Sequence, residues 1–557
     1  MNLKDLIFKN VLDAVNALYG DAVTLVLPKL DVTYPPNSDF GDYACNAPLI
    51  IGKELHKNPM QIATEIIAKL PKDNKIASVT AASPGFLNFK IAKGTTQAVV
   101  NQVIKDGSDY GTLTPEKPLK IQVEFVSANP TGPLHIGNFR GGPLGDSLAS
   151  VLQKAGHQVE REYYHNDLGN QVKKLGESIV YRINEIQGKP TGEFPEGGYK
   201  GEYVTDLAKK VIENHTSPTP HTTPTTLTDP IELGKYAVDY FRDQALELCR
   251  TADIHFDNVT AESDAIDKGW TKKSLEQLQK GGYLKVADGA TWFAPSDSFL
   301  EDRECVVIKS SGDYDYFSND IGYHQNKFER GFDKVINVWG ANHHGHIPRM
   351  KAAMEALGID PNRLEVLLYQ WVTLIRNGEK IGMSKRAGNF VLAKDVLAEI
   401  GSDALRFTFL TRDASTPLEF DVELVKKKAR ENPVYYAQYA HARMMSILGK
   451  SDAPVVETSK VELLTTQEEL NILKHLNKFS ELIAEIAVTY GVHQLTNYAL
   501  TLADLFHKFY ETSPVLAARN ADITKDLSEA RIALVKATQT VLKETLRLLG
   551  VSAPDHM

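Results

Sequence analysis

The residues best suited to chemistry form two clusters. The first is His135-Ile136-Gly137-Asn138, which closes a proline- and glycine-rich segment, SANPTGPLHIGNFRGG, over residues 127–142. At the start of a helix, free backbone N–H groups and the positive end of the dipole attract an anion. Gly137 lets a flat ligand lie against the backbone, and His135 can donate a hydrogen bond to a phosphate oxygen as charge develops there. The second cluster is LIRNGEKIGMSKRAGNFV, where Lys380, Lys385 and Arg386 sit among Gly382, Met383, Ser384 and Gly388, behind the tight-turn pair Asn377-Gly378. A glycine-flanked cationic loop of this kind suits closure over a triphosphate, because positive charge must follow a departing pyrophosphate.

Two other phosphate-binding patterns are excluded by spacing. The glycines at 132, 137, 141, 142 and 145 contain no G-x-G-x-x-G triple, and Gly449-Lys450-Ser451 has Met444 where a P-loop requires glycine. The elements around the first cluster are regular. The run IQVEFV (121–126) reads as a strand. PLGDSLASVLQKAG then places Leu144, Leu148, Val151 and Leu152 on one helical face before Gly156 stops it, and HQVEREYY reads as a second strand. This is the size of one βαβ unit in a doubly wound nucleotide fold.

The chain has 557 residues and a formal charge of -9, which implies several domains and argues against non-specific coating of nucleic acid. Cys45, Cys249 and Cys305 are far apart with no C-x-x-C, as expected of a reduced, cytoplasmic protein. The start, MNLKDLIFKNVLDAVNALYG, reads as an amphipathic helix interrupted by Asp5 and Asp13, and is expected to be neither signal peptide nor membrane span. Residues 1–112 are expected to form a small α+β domain with YPPNSDFGDYACN as a loop and GFLNFKI as a strand. Residues 113–415 read as the α/β core, with an insertion around 170–300 that contains a Thr/Pro-rich loop near 214–230. KVINVWGANHHGH and EVLLYQWVTLIR read as further parallel strands. Residues 416–557 read as helical to the end.

Taken together, HIGN, the distant GMSKR, and the βαβ scaffold resemble the paired signatures of the class I aminoacyl-tRNA synthetases. ANPTGPLHIGN, the literal DALR at Asp403 to Arg406, NPVYYAQYAHAR and the terminal LLGVSAP resemble the arginyl-tRNA synthetase family, as does YPPNSDFGDYACN. The resemblance implies a Rossmann-type parallel-sheet catalytic domain, a small α+β N-terminal tRNA-contacting domain and an all-α C-terminal anticodon-binding domain. It implies activation of L-arginine by ATP, with Mg²⁺ carried on the phosphates, and transfer to the 3′-terminal adenosine of tRNA(Arg) by a monomer with no membrane attachment. The sequence departs from the family pattern at two positions: Asn138 replaces the last histidine of the first signature, and Gly382 the first lysine of the second.

The implied site residues follow the same correspondence. His135, Lys385 and Lys380 would stabilise the phosphate in the transition state, and Gly137, Asn138, Met383 and Ser384 would complete the ATP site. Ser127, Asn129 and Asn138 would hold the amino acid's head group, Tyr316 and Asp320 its guanidinium side, and His344 would line the pocket. An arginine site also calls for carboxylates in bidentate reach, for which Glu124 and Asp320 are candidates at strand ends. NHHGH (342–346) lacks the carboxylate spacing of a zinc helix, and no protein-bound metal is expected.

From Asp421 onward the chain holds 16 Lys and Arg against 17 Asp and Glu, but its entry is basic: Lys426, Lys427, Lys428 and Arg430. The following helix, opened by Asn432 and Pro433, sets Tyr436, Tyr439 and Arg443 on one side, a combination suited to unstacked RNA bases and phosphates. Two rival readings share these residues: another class I synthetase or H-x-G-H nucleotidylyltransferase, and a non-catalytic tRNA-binding paralogue.

Overall fold

The computed structural model describes residues 2–557 apart from 217–223, 225, 296–303, 382–390, 452–456 and 518–522. Its centre is a five-stranded, all-parallel sheet in the order Leu364–Tyr369, Lys334–Gly340, Lys120–Glu124, Gln158–His165, Asn258–Ala261. The chain runs outward from Lys120–Glu124 in one direction, then returns to build on its other side. The carboxyl end of that strand is therefore the topological switch point, where a crevice opens in such sheets. Ile121 and Val123 are buried on this strand, and the helix Gly141–Lys154 covers it with Leu144, Leu148, Val151 and Leu152, all essentially out of solvent. Gly145 lets that helix approach, since a Cβ there would lie 2.2 Å from the Phe125 ring.

EVLLYQWVTLIR is two strands rather than one. Leu364–Tyr369 belongs to the parallel sheet, whereas Val372–Arg376 joins Glu379–Ile381 and Leu418–Asp421 in a separate three-stranded sheet. The break falls at Gln370-Trp371, where Gln370 N–H donates to the Ala414 carbonyl at 2.9 Å. The region after residue 416 is helical except for Leu418–Asp421, whose parallel pairing with Val372–Arg376 depends on a distant partner.

The N-terminal unit is an antiparallel sheet in the order Val32–Thr33, Tyr43–Cys45, Phe86–Ile91, Ile76–Ala82, with the helix Leu3–Tyr19 packing Ile7, Val11 and Val15 into its core. Part of the expected loop YPPNSDFGDYACN is thus a strand, Tyr43–Cys45, paired with Phe86–Ile91. The helix Lys93–Asp106 packs instead on the C-terminal helices Gln467–Asn477 and Lys525–Leu548, sharing one continuous core with them and the parallel sheet. The insertion contributes three helices, Asn170–Ile186, Glu202–Thr216 and Pro230–Thr251, with a core of their own. Residues 217–223 and 225 of its Thr/Pro-rich stretch lie outside the described residues.

Candidate active site

A cleft of about 1830 Å³ opens at the switch point, lined by the signature loop, the carboxyl ends of the central strands, the helix Tyr316–Glu329 and the insertion. The loop leaves the sheet through two consecutive left-handed residues, Val126 (φ 68°) and Ser127 (φ 36°). Such backbone is costly for side-chain-bearing residues and persists where the surroundings enforce it. Here Tyr164 N–H donates to Ser127 Oγ at 3.1 Å, so the hydroxyl expected at a head group is tied to the neighbouring strand. Asn129 donates to Gln171 Oε1 at 3.3 Å, linking the loop to the insertion.

His135 precedes the helical turn Ile136–Phe139, and its Nδ1 accepts the Asn138 N–H at 3.1 Å. A ring nitrogen that accepts leaves the proton of the neutral imidazole on Nε2, which is the donor this site needs. Gly137 allows the arrangement: a Cβ there would lie 3.2 Å from Nδ1. The loop is pinned to the chain returning from the second cluster, because Ile136 N–H donates to the Val391 carbonyl and Ala393 N–H to that of Leu134. Met383, Ser384 and Lys385 themselves lie outside the described residues. Lys380 is on the strand Glu379–Ile381, where it is exposed, pairs with Glu419 at 2.7 Å and does not line the cleft.

Several carboxylates line the same cleft. Tyr316 and Asp320 sit in the first two turns of the helix Tyr316–Glu329, capped by Asp315, rather than at a strand end. Asp320 Oδ2 lies 3.1 Å from His346 Nε2, and the Tyr316 ring stacks on His346. His346, His343 and Gly345 line the cleft, whereas His344 is exposed and does not. Glu124, the last residue of the central strand, is buried and pairs with the fully buried Lys327 at 2.5 Å, while Tyr323 Oη donates to it at 3.2 Å.

Four residues that sequence reasoning missed, Glu262, Tyr164, Tyr323 and Lys327, surround these carboxylates. Glu262 is buried, accepting amide donors from Asn319 at 2.9 Å and Asn166 at 2.8 Å. Burial, and to a lesser degree Asp320 and Asp167, hold its carboxyl above the usual range, despite those amides. Tyr164 stacks on Tyr323 at 4.3 Å and its hydroxyl is buried without a partner among the described residues. The signal was the spacing 316, 320, 323, 327: one stripe of a helix carrying Tyr, Asp, Tyr and Lys. The cleft lining mixes these carboxylates with Lys173, Lys309 and Arg349. Among the described residues no group of three or more His, Cys, Asp or Glu is arranged to hold a metal.

The residues expected to meet RNA lie apart from the cleft. Lys426 to Arg430 follow the short helix Val422–Val425 in turns, not on a helix, because Asn432 turns its amide back onto the carbonyls of Val425 and Lys427 at 2.7 and 2.9 Å. Lys426 pairs with Glu399 and Glu423, and Arg430 with Asp504 at 3.4 Å. Lys427 and Lys428 are exposed. Arg430 lies over the Tyr436 ring at 5.3 Å, and Arg443 lies 5.9 Å from the Tyr439 ring and 4.3 Å from that of Tyr510. His507 joins both tyrosines, giving one aromatic and cationic face.

Three domain families match the chain in succession. They are described as arginyl tRNA synthetase N terminal domain over residues 3–91, tRNA synthetases class I (R), catalytic domain over 99–415, and DALR anticodon binding domain over 437–557. The chain is 40% identical to an arginine–tRNA ligase of Desulfitobacterium hafniense, covering 100% of this chain and 99% of that protein. It is 43% identical to one of Solidesulfovibrio magneticus, covering 95% and 96%. The fold is shared with Thermus thermophilus arginyl-tRNA synthetase, at 21% identity, a TM-score of 0.78 and full coverage of both chains.

Proposed function

The chain belongs to the arginyl-tRNA synthetase family and is an arginine–tRNA ligase, and from that premise we propose how its own residues divide the work. The carboxylate of arginine attacks the α-phosphorus of ATP, forming the mixed anhydride and releasing pyrophosphate. A hydroxyl of the terminal adenosine, the 2′-hydroxyl in our reading, then attacks the acyl carbon and displaces AMP. His135 Nε2–H donates to the α-phosphate oxygens as the phosphorus becomes five-coordinate, with Gly137 and Asn138 forming the floor of the site. Met383, Ser384, Lys385 and, by swinging from Glu419, Lys380 follow the leaving pyrophosphate. Mg²⁺ carried with ATP would neutralise phosphate charge.

The observation that carries this reading is that Glu124, Glu262 and Asp320 line the same cleft as His135. Asp320 and Tyr316 take the guanidinium, with Glu124 at the base of the pocket; Ser127, Asn129 and Asn138 hold the head group. Lys426, Lys427, Lys428 and Arg430 engage tRNA phosphates, and Tyr436, Tyr439 and Arg443 unstacked bases. The enzyme works as a cytoplasmic monomer; the cytoplasmic part of the reading is supported by three buried cysteines far apart in the sequence with no C-x-x-C. The test is ATP–pyrophosphate exchange with each amino acid, with and without total tRNA. Exchange with arginine alone supports the assignment, and exchange with another amino acid, or with none, contradicts it.

A further inference from the structure

We propose that Trp371 is a platform on which an adenine base stacks at the mouth of the cleft, an inference that rests on reading the cleft as the adenylation site. The indole is 64% exposed and lines the cleft beside Tyr369, Gln370 and Val372. It has no ring or cation partner among the described residues.

An exposed tryptophan is ordinarily free to move, but the backbone beneath this one is held from several directions. Leu418 N–H donates to the Trp371 carbonyl and Gln370 N–H to that of Ala414, each at 2.9 Å. The guanidinium of Arg140, fully buried, donates to the carbonyls of Gln370 at 2.8 Å, Thr416 at 2.9 Å and Asp413 at 3.1 Å. Arg140 directly follows the helical turn that begins after His135, so the segment that receives the phosphates also fixes the indole. Tyr369 repeats the tie, donating from its hydroxyl to the Asn138 carbonyl at 3.3 Å and packing on Gly141, where a Cβ would lie 3.0 Å from its ring. The strand break at Gln370-Trp371 is what leaves the side chain outside both sheets.

A large aromatic face, rigidly presented and open to water at the rim of a phosphate-binding cleft, is what base stacking uses, since every base offers a π-face. The reaction brings two adenines to this place: that of ATP, and that of the terminal nucleoside of tRNA. Either can occupy the platform, and the test separates them.

Trp371→Ala, Trp371→Leu and Trp371→Phe are compared in the full chain by fluorescence titration with ATP alone and by aminoacylation kinetics with intact tRNA, with tRNA lacking its terminal adenosine added as a competitive inhibitor. The Ala and Leu variants are expected to lose about 5- to 150-fold in affinity for one of the two adenine sources, while Phe, which can still stack, stays close to wild type. Weakened ATP binding assigns the platform to ATP. A raised KM for intact tRNA, with an unchanged inhibition constant for truncated tRNA, assigns it to the terminal adenosine. Unchanged values in both arms, or a Leu variant equal to wild type, overturn the proposal. Wild-type enzyme that exchanges pyrophosphate with arginine, whatever the Trp371 variants do, leaves the reading of the cleft intact.

Discussion

Lys327 Nζ lies 2.5 Å from Glu124 Oε2 and 3.1 Å from Asn337 Oδ1, with the lysine side chain wholly out of solvent and the glutamate nearly so. Asn337 in turn meets His324 Nε2 at 2.8 Å, and His324 Nδ1 meets the Asp320 carbonyl at 2.8 Å. A chain of polar contacts thus joins the strand carrying Glu124 to the helix carrying Asp320, beneath the cleft. Because the lysine balances Glu124, the charge left for a bound guanidinium is chiefly that of Asp320 and Glu262.

Removing one member of a buried ion pair strands the other. Lys327→Met should cost about 3 to 5 kcal/mol in denaturant unfolding, and raise the arginine KM in the folded fraction more than the ATP KM. An unfolding midpoint equal to wild type would show that the pair is not a structural tie.

Much of the catalytic unit was legible in the sequence. The strand expected over 121–126 is present as Lys120–Glu124, ending two residues early where the loop turns at Val126 (φ 68°), and the loop and the helix stopped at Gly156 (φ 87°) lie where glycine and periodicity place them. The Tyr316–Glu329 helix was not: YDYFSND is rich in residues that also make loops, and only the capping bond from Phe317 N–H to Asp315 Oδ1, at 3.3 Å, reveals its start. The Glu124–Lys327 pair joins residues 203 positions apart, and no local spacing announces it. The basic entry 426–430 lies within the stretch 416–557 that reads as helical, but the amide of Asn432, bonded back to the carbonyls of Val425 and Lys427, holds it in turns.

The end of the chain should tolerate little change. Gly550 has φ 63°, and a Cβ there would lie 1.9 Å from a guanidinium nitrogen of Arg406, the arginine of DALR. That guanidinium donates to the carbonyls of Leu549, Ala252 and Asp253 at 3.0, 3.0 and 2.9 Å and pairs with Asp146 at 2.5 Å. Gly550→Ala combines left-handed strain with overpacking and should cost at least about 2 kcal/mol, measured by urea unfolding. A loss below 0.5 kcal/mol, the usual scale of a surface change, would contradict this account of the junction.

Stability should fall on mild acidification. Burial lowers the pKa of His475 from 6.5 to about 4, although its Nε2–H donates to the Tyr498 carbonyl at 3.1 Å. The unfolded chain therefore takes up the proton first. The neutral ring's contribution is complete above pH 6.5 and disappears progressively as pH falls toward 4. At pH 5 the loss from this residue is about 2 kcal/mol relative to pH 7, and His475→Gln should flatten the profile. Equal unfolding free energies for wild type at the two pH values would refute it.

Among the cations entering the C-terminal domain, Lys427 and Lys428 are expected to matter most to tRNA, since Lys426 and Arg430 are already paired with carboxylates. Replacing both lysines by glutamine should weaken tRNA binding and reduce its log–log salt slope by about one to two, leaving arginine binding alone. Filter binding across a salt series checks this, and an unchanged slope would remove the turn from the RNA interface.

The division of the cleft into a phosphate side at His135 and a guanidinium side at Asp320 is tested most directly by steady-state aminoacylation with His135→Ala and Asp320→Asn measured side by side. The expected result is a kcat lowered about 10²- to 10³-fold for His135→Ala with arginine KM little changed. For Asp320→Asn, loss of a charged hydrogen bond should raise the arginine KM about 10- to 150-fold, with ATP KM and thermal stability close to wild type. Near-normal turnover in His135→Ala, or an Asp320→Asn enzyme that melts early but binds arginine normally, would contradict the assignment.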